Sequence, residues 1–210
     1  EDKIPYIRKE NRIIFSTFCK KHKCFLVDKC PKCQTLIFPF KMFRNEFTYE
    51  FCNNCGFELA NSEIKYIRNE YRYKMNHKLF DVLNKGYIEL ENYYIYSFLF
   101  FDVIAHISRL ILMNKRFNMS EKRILNYITK KKISKAKSSF SQLSIKEQFI
   151  LFSVIMNIFE EFPQRFKLFM LENKLSNFEM IRDMKKIPFW YEQSINIISP
   201  KIIYQSRMIT

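Results

Sequence analysis

Cys19-Lys20-Lys21-His22, Cys24, Cys30-Pro31-Lys32-Cys33 and Cys52-Asn53-Asn54-Cys55-Gly56 gather all six cysteines and one of the three histidines into one short stretch. The two C-x-x-C pairs, separated by eighteen residues, have the spacing of a four-cysteine zinc site. Two thiolates three positions apart sit on one tight backbone knuckle and both reach a metal about 2.3 Å away, so two knuckles complete a tetrahedron. Gly56 suits the turn that follows a knuckle, where a residue without Cβ takes positive φ. Between the pairs, Thr35-Leu36-Ile37-Phe38 and Phe47-Thr48-Tyr49-Glu50-Phe51 are aromatic and β-branched, with Arg44-Asn45-Glu46 as the turn. They predict the hairpin of a zinc ribbon. Two disulfides are the competing reading, disfavoured because paired knuckles are a metal pattern in a reducing compartment.

Cys30, Cys33, Cys52 and Cys55 are therefore the expected Zn2+ ligands. A shell closed by four thiolates leaves no position for water or substrate, so the metal's expected role is structural. Cys19 and His22 read as half of a second, partial site, against the plainer reading of two ordinary side chains beside the first. Only one residue separates Cys24 from His22, which makes it a poorer candidate for a third ligand.

Outward from this stretch, the chain begins at Glu1 without an initiator methionine, and a fragment or processed product is expected. Its 210 residues, 48% hydrophobic and 17% aromatic, allow one large domain or two small ones with a buried core. The only glycines, Gly56 and Gly86, exclude a P-loop and a Rossmann fingerprint, which need backbone freed of Cβ near phosphate. The most apolar stretch, Tyr93 to Met113, is interrupted by Asp102, His106 and Arg109, which are costly at a bilayer centre, so a soluble helix is expected. Their spacing of four and three puts them on one helical face. A catalytic histidine with an acidic orienter competes there with a polar stripe holding a local ion pair. The stripe is preferred, because no serine or cysteine nucleophile is placed with them.

From about Ile64 the cysteines stop and the pattern turns helical. Ile67, Tyr71, Met75, Leu79 and Leu83 predict a helix over 64–84, Gly86 breaks it, and a second helix is expected over 88–114. Asn118-x-x-Glu121 and Ser144-x-x-Glu147 resemble capping boxes and predict helices over 121–131 and 145–162. Pro163 is expected to end one helix and open the next, which carries Phe166, Phe169 and Met170. Pro188 is expected to stop the last regular stretch before Phe189-Trp190-Tyr191. The expected fold is mainly α with a small β zinc ribbon: a zinc-ribbon module over 1–63, then an α-helical domain over 64–210 that is basic in its first half.

The formal net charge is +15. Residues 1–63 hold 11 Lys/Arg against 8 Asp/Glu, residues 64–135 hold 15 against 6, and residues 136–210 hold 10 against 7, so the middle carries most of the excess. From Lys115 onward, Lys115, Arg116, Lys122, Arg123, Lys130, Lys131, Lys132, Lys135 and, just past that segment, Lys137 face a single acid, Glu121. Such a cluster attracts phosphate and makes binding salt-dependent through counterion release, so nucleic-acid contact is favoured over a solvated face.

Cys19-x-x-His22, Leu26, Cys30-Pro31-x-Cys33 and Cys52-x-x-Cys55-Gly56-x-x-Leu59 together resemble the core of the TniQ/TnsD family of target-site selectors in transposition. Pro5-Tyr6-Ile7-Arg8-Lys9 with Arg12 is similar to that family's approach to its C-x-x-H knuckle. The firm match covers roughly residues 5–60. In the family an earlier C-x-x-C pair completes one zinc site with the C-x-x-H, and the two later pairs form the other. The resemblance implies that Cys30, Cys33, Cys52 and Cys55 are the intact site and Cys19 with His22 the residual half of the other. Cys24 matches no ligand in it. The earlier pair is missing, and the expectation is that the chain starts just downstream of it and that the full protein is longer. The helical remainder is similar in character, including Glu160-Glu161-Phe162-Pro163-x-x-Phe166 and Ile187-Pro188-x-Trp190.

What the resemblance implies is a non-enzymatic adaptor, cytoplasmic and nucleoid-associated in a bacterium. Family members bind a DNA attachment site directly or ride on a CRISPR effector complex, and they recruit the AAA+ regulator that calls in the transposase. Two other classes remain open. One is a general zinc-ribbon nucleic-acid or protein interaction module unrelated to transposition. The least favoured is an enzyme, which needs open-coordinated zinc at Cys19 and His22 or a carboxylate cluster assembled from Asp81, Glu89, Asp102 and Glu121.

Overall fold

A computed structural model describes residues 9–37, 50–91, 93–113 and 143–198. About half of them are helical, with two small antiparallel sheets and a four-cysteine cluster. The chain divides into two compact units, one of residues up to Leu79 with Ser139–Ser153, the other of Phe80–Ser138 with Val154 onward.

The first unit opens with a 3-10 turn, Lys9–Arg12, and the strands β1 (Phe18–Cys19) and β2 (Cys24–Phe25), which pair antiparallel. Lys23, at φ +49, turns the chain between them. The free edge of β2 is covered by an extended segment: Cys24 bridges Tyr66, the Phe25 N–H donates to the Lys65 carbonyl, and the Ile67 N–H donates to the Lys23 carbonyl. Helix α1 (Glu70–Lys85) follows, entered from Asn69, whose Oδ1 accepts from the Arg72 N–H at 3.0 Å. The helix stops at Gly86, whose N–H closes on the Val82 carbonyl with φ +80, a left-handed C-terminal position that a residue without Cβ adopts freely.

The unit's core is aromatic. Phe18 meets Tyr73 of α1 at 5.2 Å between ring centroids, while Phe18 and Phe25 both pack edge-on against Phe149, and Phe15 against Phe152. Along α1 the buried residues are Met75, Asn76 and Leu79 in this unit and Phe80 and Val82 in the second, which corrects the predicted stripe. Of that stripe only Met75 and Leu79 are buried; Tyr71 is exposed and Ile67 precedes the helix. A strict four-residue step turns about 40° too far each time, so the real face alternates steps of three and four.

Phe149 and Phe152 lie on α3, assigning α2 to Ser97–Met113 and α3 to Ile145–Ile158. The capping box at its start is present as the sequence predicts. The Glu147 carboxylate accepts from the Ser144 N–H at 2.8 Å, and Ser144 Oγ accepts from the Glu147 N–H. The helix closes at Ile158, short of its predicted end at 162, in turns leading to Pro163. The capping box at Asn118 and the helix over 121–131 lie outside the described residues.

In the second unit the helix predicted over 88–114 is corrected: a hairpin of β3 (Tyr87–Leu90) and β4 (Tyr93–Tyr96) comes first, and α2 begins only at Ser97. Leu90 and Ile95 turn inward while Tyr87, Glu89, Tyr94 and Tyr96 turn out, the period-two pattern of a half-buried sheet. Aromatic and β-branched residues favour that surface, and Glu91 at φ +54 supplies the left-handed turn.

Among the described residues three more helices belong to the unit: α4 (Gln164–Glu172), α5 (Asn177–Ile181) and α6 (Phe189–Ile198). Phe100 of α2, Phe159, Phe162, Phe166 and Trp190 form one aromatic cluster; Phe100 and Phe159 stand 5.1 Å apart and Phe162 lies 6.0 Å from Trp190. Tyr191, fully buried, donates its hydroxyl to the Met180 carbonyl at 3.1 Å, and burial pushes its phenol far up from the usual range. Pro188 does not end the last regular stretch but opens one, since its carbonyl accepts from the N–H groups of Tyr191 and Glu192. A proline lacks an N–H that a helix entry leaves unpaired anyway. Among the described residues no helix is long and apolar enough to cross a membrane.

Candidate metal centre

The cysteine-bearing stretch folds as three copies of one backbone device. In Cys30–Leu36 the Gln34 N–H donates to the Cys30 carbonyl at 2.9 Å, the Cys30 N–H donates to the Thr35 carbonyl at 3.0 Å, and Lys29 bridges Leu36. In Cys52–Glu58 the Gly56 N–H donates to the Cys52 carbonyl at 2.9 Å, the Cys52 N–H to the Phe57 carbonyl at 2.8 Å, and Phe51 bridges Glu58. In Cys19–Phe25 the Lys23 N–H donates to the Cys19 carbonyl at 2.9 Å, Cys19 pairs with Cys24, and Phe18 pairs with Phe25. The residue after each second ligand position has positive φ: Lys23 at +49, Gln34 at +60, Gly56 at +68. The sequence reveals that requirement only where glycine marks it.

Two of these knuckles meet. Cys30 Sγ lies 3.6 Å from Cys55 Sγ and Cys33 Sγ 3.6 Å from Cys52 Sγ, and all four sulfurs lie within 4.8 Å of one another. Four thiolates about 2.3 Å from one zinc stand about 3.8 Å apart, whereas a disulfide needs about 2.05 Å. The donor set thus fits one tetrahedral zinc, held by Cys30, Cys33, Cys52 and Cys55. Cys30 and Cys52 are buried, with Cys33 and Cys55 half-buried.

The electrostatics of the cluster also favour a cation. Hydrogen bonds from the Thr35 hydroxyl and Asn54 bring the Cys33 thiol down to about 5. At Cys55 the Phe57 backbone N–H pulls downward, but burial and the sulfurs of Cys33, Cys30 and Cys52 outweigh it and push the thiol up to about 12. Sulfurs packed this closely resist a second negative charge, which a dication at their centre neutralises.

The third knuckle brings Cys19 Sγ within 3.3 Å of His22 Nδ1. Its strand position explains Cys24, which occupies the place of Thr35 and Phe57 in the other two knuckles and so pairs backbone rather than offering a ligand. Burial, and then the neighbouring Cys19, raise its thiol above the ordinary value. Among the described residues the four cysteines are the only group of three or more His, Cys, Asp or Glu side chains within ligating distance of one another. Within that range Cys19 and His22 are a pair of donors rather than a completed site.

The stripe of Asp102, His106 and Arg109 is not brought together as one face. Asp102 and Arg109 are exposed and form no ion pair among the described residues, whereas His106 is 1% exposed and neither ring nitrogen makes a well-formed hydrogen bond among them. The outward side of α2 is instead Phe98, Asp102, Ala105 and Arg109, with His106 at its border, covered by the unit's later helices. The basic cluster Lys115, Arg116, Lys122, Arg123, Lys130, Lys131, Lys132, Lys135 and Lys137 lies outside the described residues. Sequence reading misses four cations, Lys65, Arg68, Arg72 and Lys146, that the first unit gathers round a groove; their separation in the chain hides them. Comparison with protein-family models, curated proteins and solved structures finds no match for this chain.

Proposed function

We propose that the chain is a non-enzymatic DNA-targeting adaptor in transposition, of the kind that TniQ/TnsD selectors represent, built on a structural zinc ribbon. The observation that carries this reading is the succession C-x-x-H, C-x-x-C, C-x-x-C as three knuckles of one backbone geometry, the last two closing a four-sulfur cage. A cage of that composition holds zinc for architecture, since four thiolates fill a tetrahedral ion. When bound, the ion supplies folding free energy to two loops that carry few buried apolar side chains. The basic cluster between Lys115 and Lys137 would supply phosphate affinity, and the partners would be DNA, directly or through a CRISPR effector complex, and an AAA+ transposition regulator.

The test is co-sedimentation of the purified chain with duplex DNA and with an AAA+ transposition regulator, alongside elemental analysis. One zinc per chain with capture of the regulator is the expected result. Zinc without either partner would leave a general zinc-ribbon interaction module, and nucleic-acid hydrolysis that survived loss of the cysteines would point to an enzyme.

A further inference from the structure

The extended segment from Glu63 to Asn69, together with β2, α1 and α3, lines a groove of about 480 Å³ in the first unit. Phe25, Ile67, Phe149 and Ile150 give it an apolar lining, while Lys65, Arg68, Arg72 and Lys146 surround it with four cations against one carboxylate, Glu63. Glu63 is itself engaged by Lys65 at 3.8 Å, both side chains being well exposed. Arg68 and Lys146 are exposed and have no carboxylate partner among the described residues. The Lys146 ammonium sits 5.6 Å from the centroid of the Phe25 ring, which holds it at the groove rather than in bulk water. A second groove of about 420 Å³ shares Phe25, Glu63, Lys65 and Lys146 with the first, so the concavity continues past one ligand-sized site.

This charge does not come from the end of a helix. Although Lys146 stands in the first turn of α3, the Glu147 carboxylate already accepts from the Ser144 N–H there and offsets that terminus. The cations are side chains from three separate elements converging on an apolar trough. A duplex keeps the flat faces of its bases stacked inside and offers a protein phosphates and the polar base edges of its grooves, neither of which fills an apolar trough. An apolar trough between cations gains buried area only from a base that has left its stack, with its flanking phosphates reaching the rim.

We propose that this groove binds an unpaired nucleic-acid strand, with a base against the Phe25 lining and phosphates on Arg68 and Lys146. The proposal rests on the nucleic-acid reading above and narrows it to single-stranded substrate held by residues other than those of the Lys115–Lys137 cluster. It is tested by fluorescence anisotropy with the zinc-loaded full chain, using a labelled single strand of about 20 nucleotides, long enough to fill such a groove, and the matching blunt duplex. The variants are Arg68→Glu with Lys146→Glu, and, as the comparison, Lys130→Ala with Lys131→Ala and Lys132→Ala. Both groove positions are exposed, so the fold is preserved, which circular dichroism and zinc content check. The expected result is single-strand binding about tenfold tighter than duplex, weakened about tenfold in the groove variant while duplex affinity stays within about twofold. Equal affinity for both forms, or a groove variant that leaves single-strand binding unchanged, overturns the groove assignment and leaves the DNA adaptor standing. Displacement of the single strand by poly-glutamate at equal charge concentration overturns it in favour of an acidic peptide. No binding of either nucleic acid by the wild type overturns the groove assignment together with direct DNA contact, and confines the adaptor reading to recruitment through a targeting complex.

Discussion

Asn76 Nδ2 donates to the Phe149 carbonyl at 2.9 Å, tying the buried side of α1 to the backbone of α3 across 73 residues of chain. The same amide also donates to the Arg72 carbonyl at 3.0 Å, and Asn76 is fully buried. Its Oδ1 has no partner among the described residues, which offsets part of what the amide contributes. Asn76→Ala is expected to lower stability by about 1–3 kcal/mol, the cost of a missing buried hydrogen bond with a small cavity. Urea denaturation followed by circular dichroism measures it, and an unchanged midpoint would mean that the bond is not formed in solution.

Cys33→Ser removes one of four ligands from the cage. Zinc content is expected to fall from one per chain towards zero, with loss of the ordered knuckles, because binding and folding are coupled in such modules. Chelation of the wild type should reproduce that change. A serine variant that keeps a native far-ultraviolet spectrum and its zinc would show that the cage is not the metal site.

The two closing knuckles differ at one position that isolates backbone strain. Gly56 at φ +68 has open space where a Cβ would stand, with nothing within 4 Å, so Gly56→Ala changes little except the cost of the left-handed conformation. About 1–2 kcal/mol of destabilisation is expected. Gln34 holds the same position in the other knuckle at φ +60, and Gln34→Gly is expected to relieve that strain rather than add to it. Thermal melts of both variants would disprove the equivalence of the knuckles if their shifts had the same sign.

How far the fold is legible in the sequence depends on how local its cause is. Cys30, Cys33, Cys52 and Cys55 declare their cluster because ligand spacing is set within a few residues, and Ser144 with Glu147 declares the start of α3 for the same reason. The hairpin Tyr87–Tyr96 reads as helix because its run is apolar enough for either period, and pairing between strands decides it. Arg68 and Lys146 become neighbours of one groove only through tertiary packing. The division of His106 from Asp102 and Arg109 likewise depends on which helices cover α2, and no spacing within α2 records that.

The basic cluster can be tested directly in solution. Neutralising Lys130, Lys131 and Lys132 is expected to flatten the plot of log binding constant against log salt concentration, by about 0.9 for each duplex phosphate that is no longer neutralised. An unchanged slope would assign these lysines to a protein partner or to a solvated face.

His106 makes stability depend on pH, and the sign follows from burial. Loss of solvent holds the imidazole below its ordinary value; the Arg109 and Arg182 charges push the same way, while the Met180 carbonyl and Asp183 pull against them. A base whose folded pKa is depressed takes up its proton more readily in the unfolded chain, so stability rises with pH through that interval. The neutral ring's contribution is intact above about pH 6.5, the unfolded value, and is lost as the pH falls from there towards the folded value. Melting temperatures of the wild type and of His106→Leu should therefore converge or cross between about pH 7.5 and about pH 5.5, the variant having the shallower dependence. Protonation of the four clustered cysteines affects both proteins alike and cancels in the comparison. Curves that run parallel across the whole interval would show that His106 titrates in the folded protein as it does in the unfolded one.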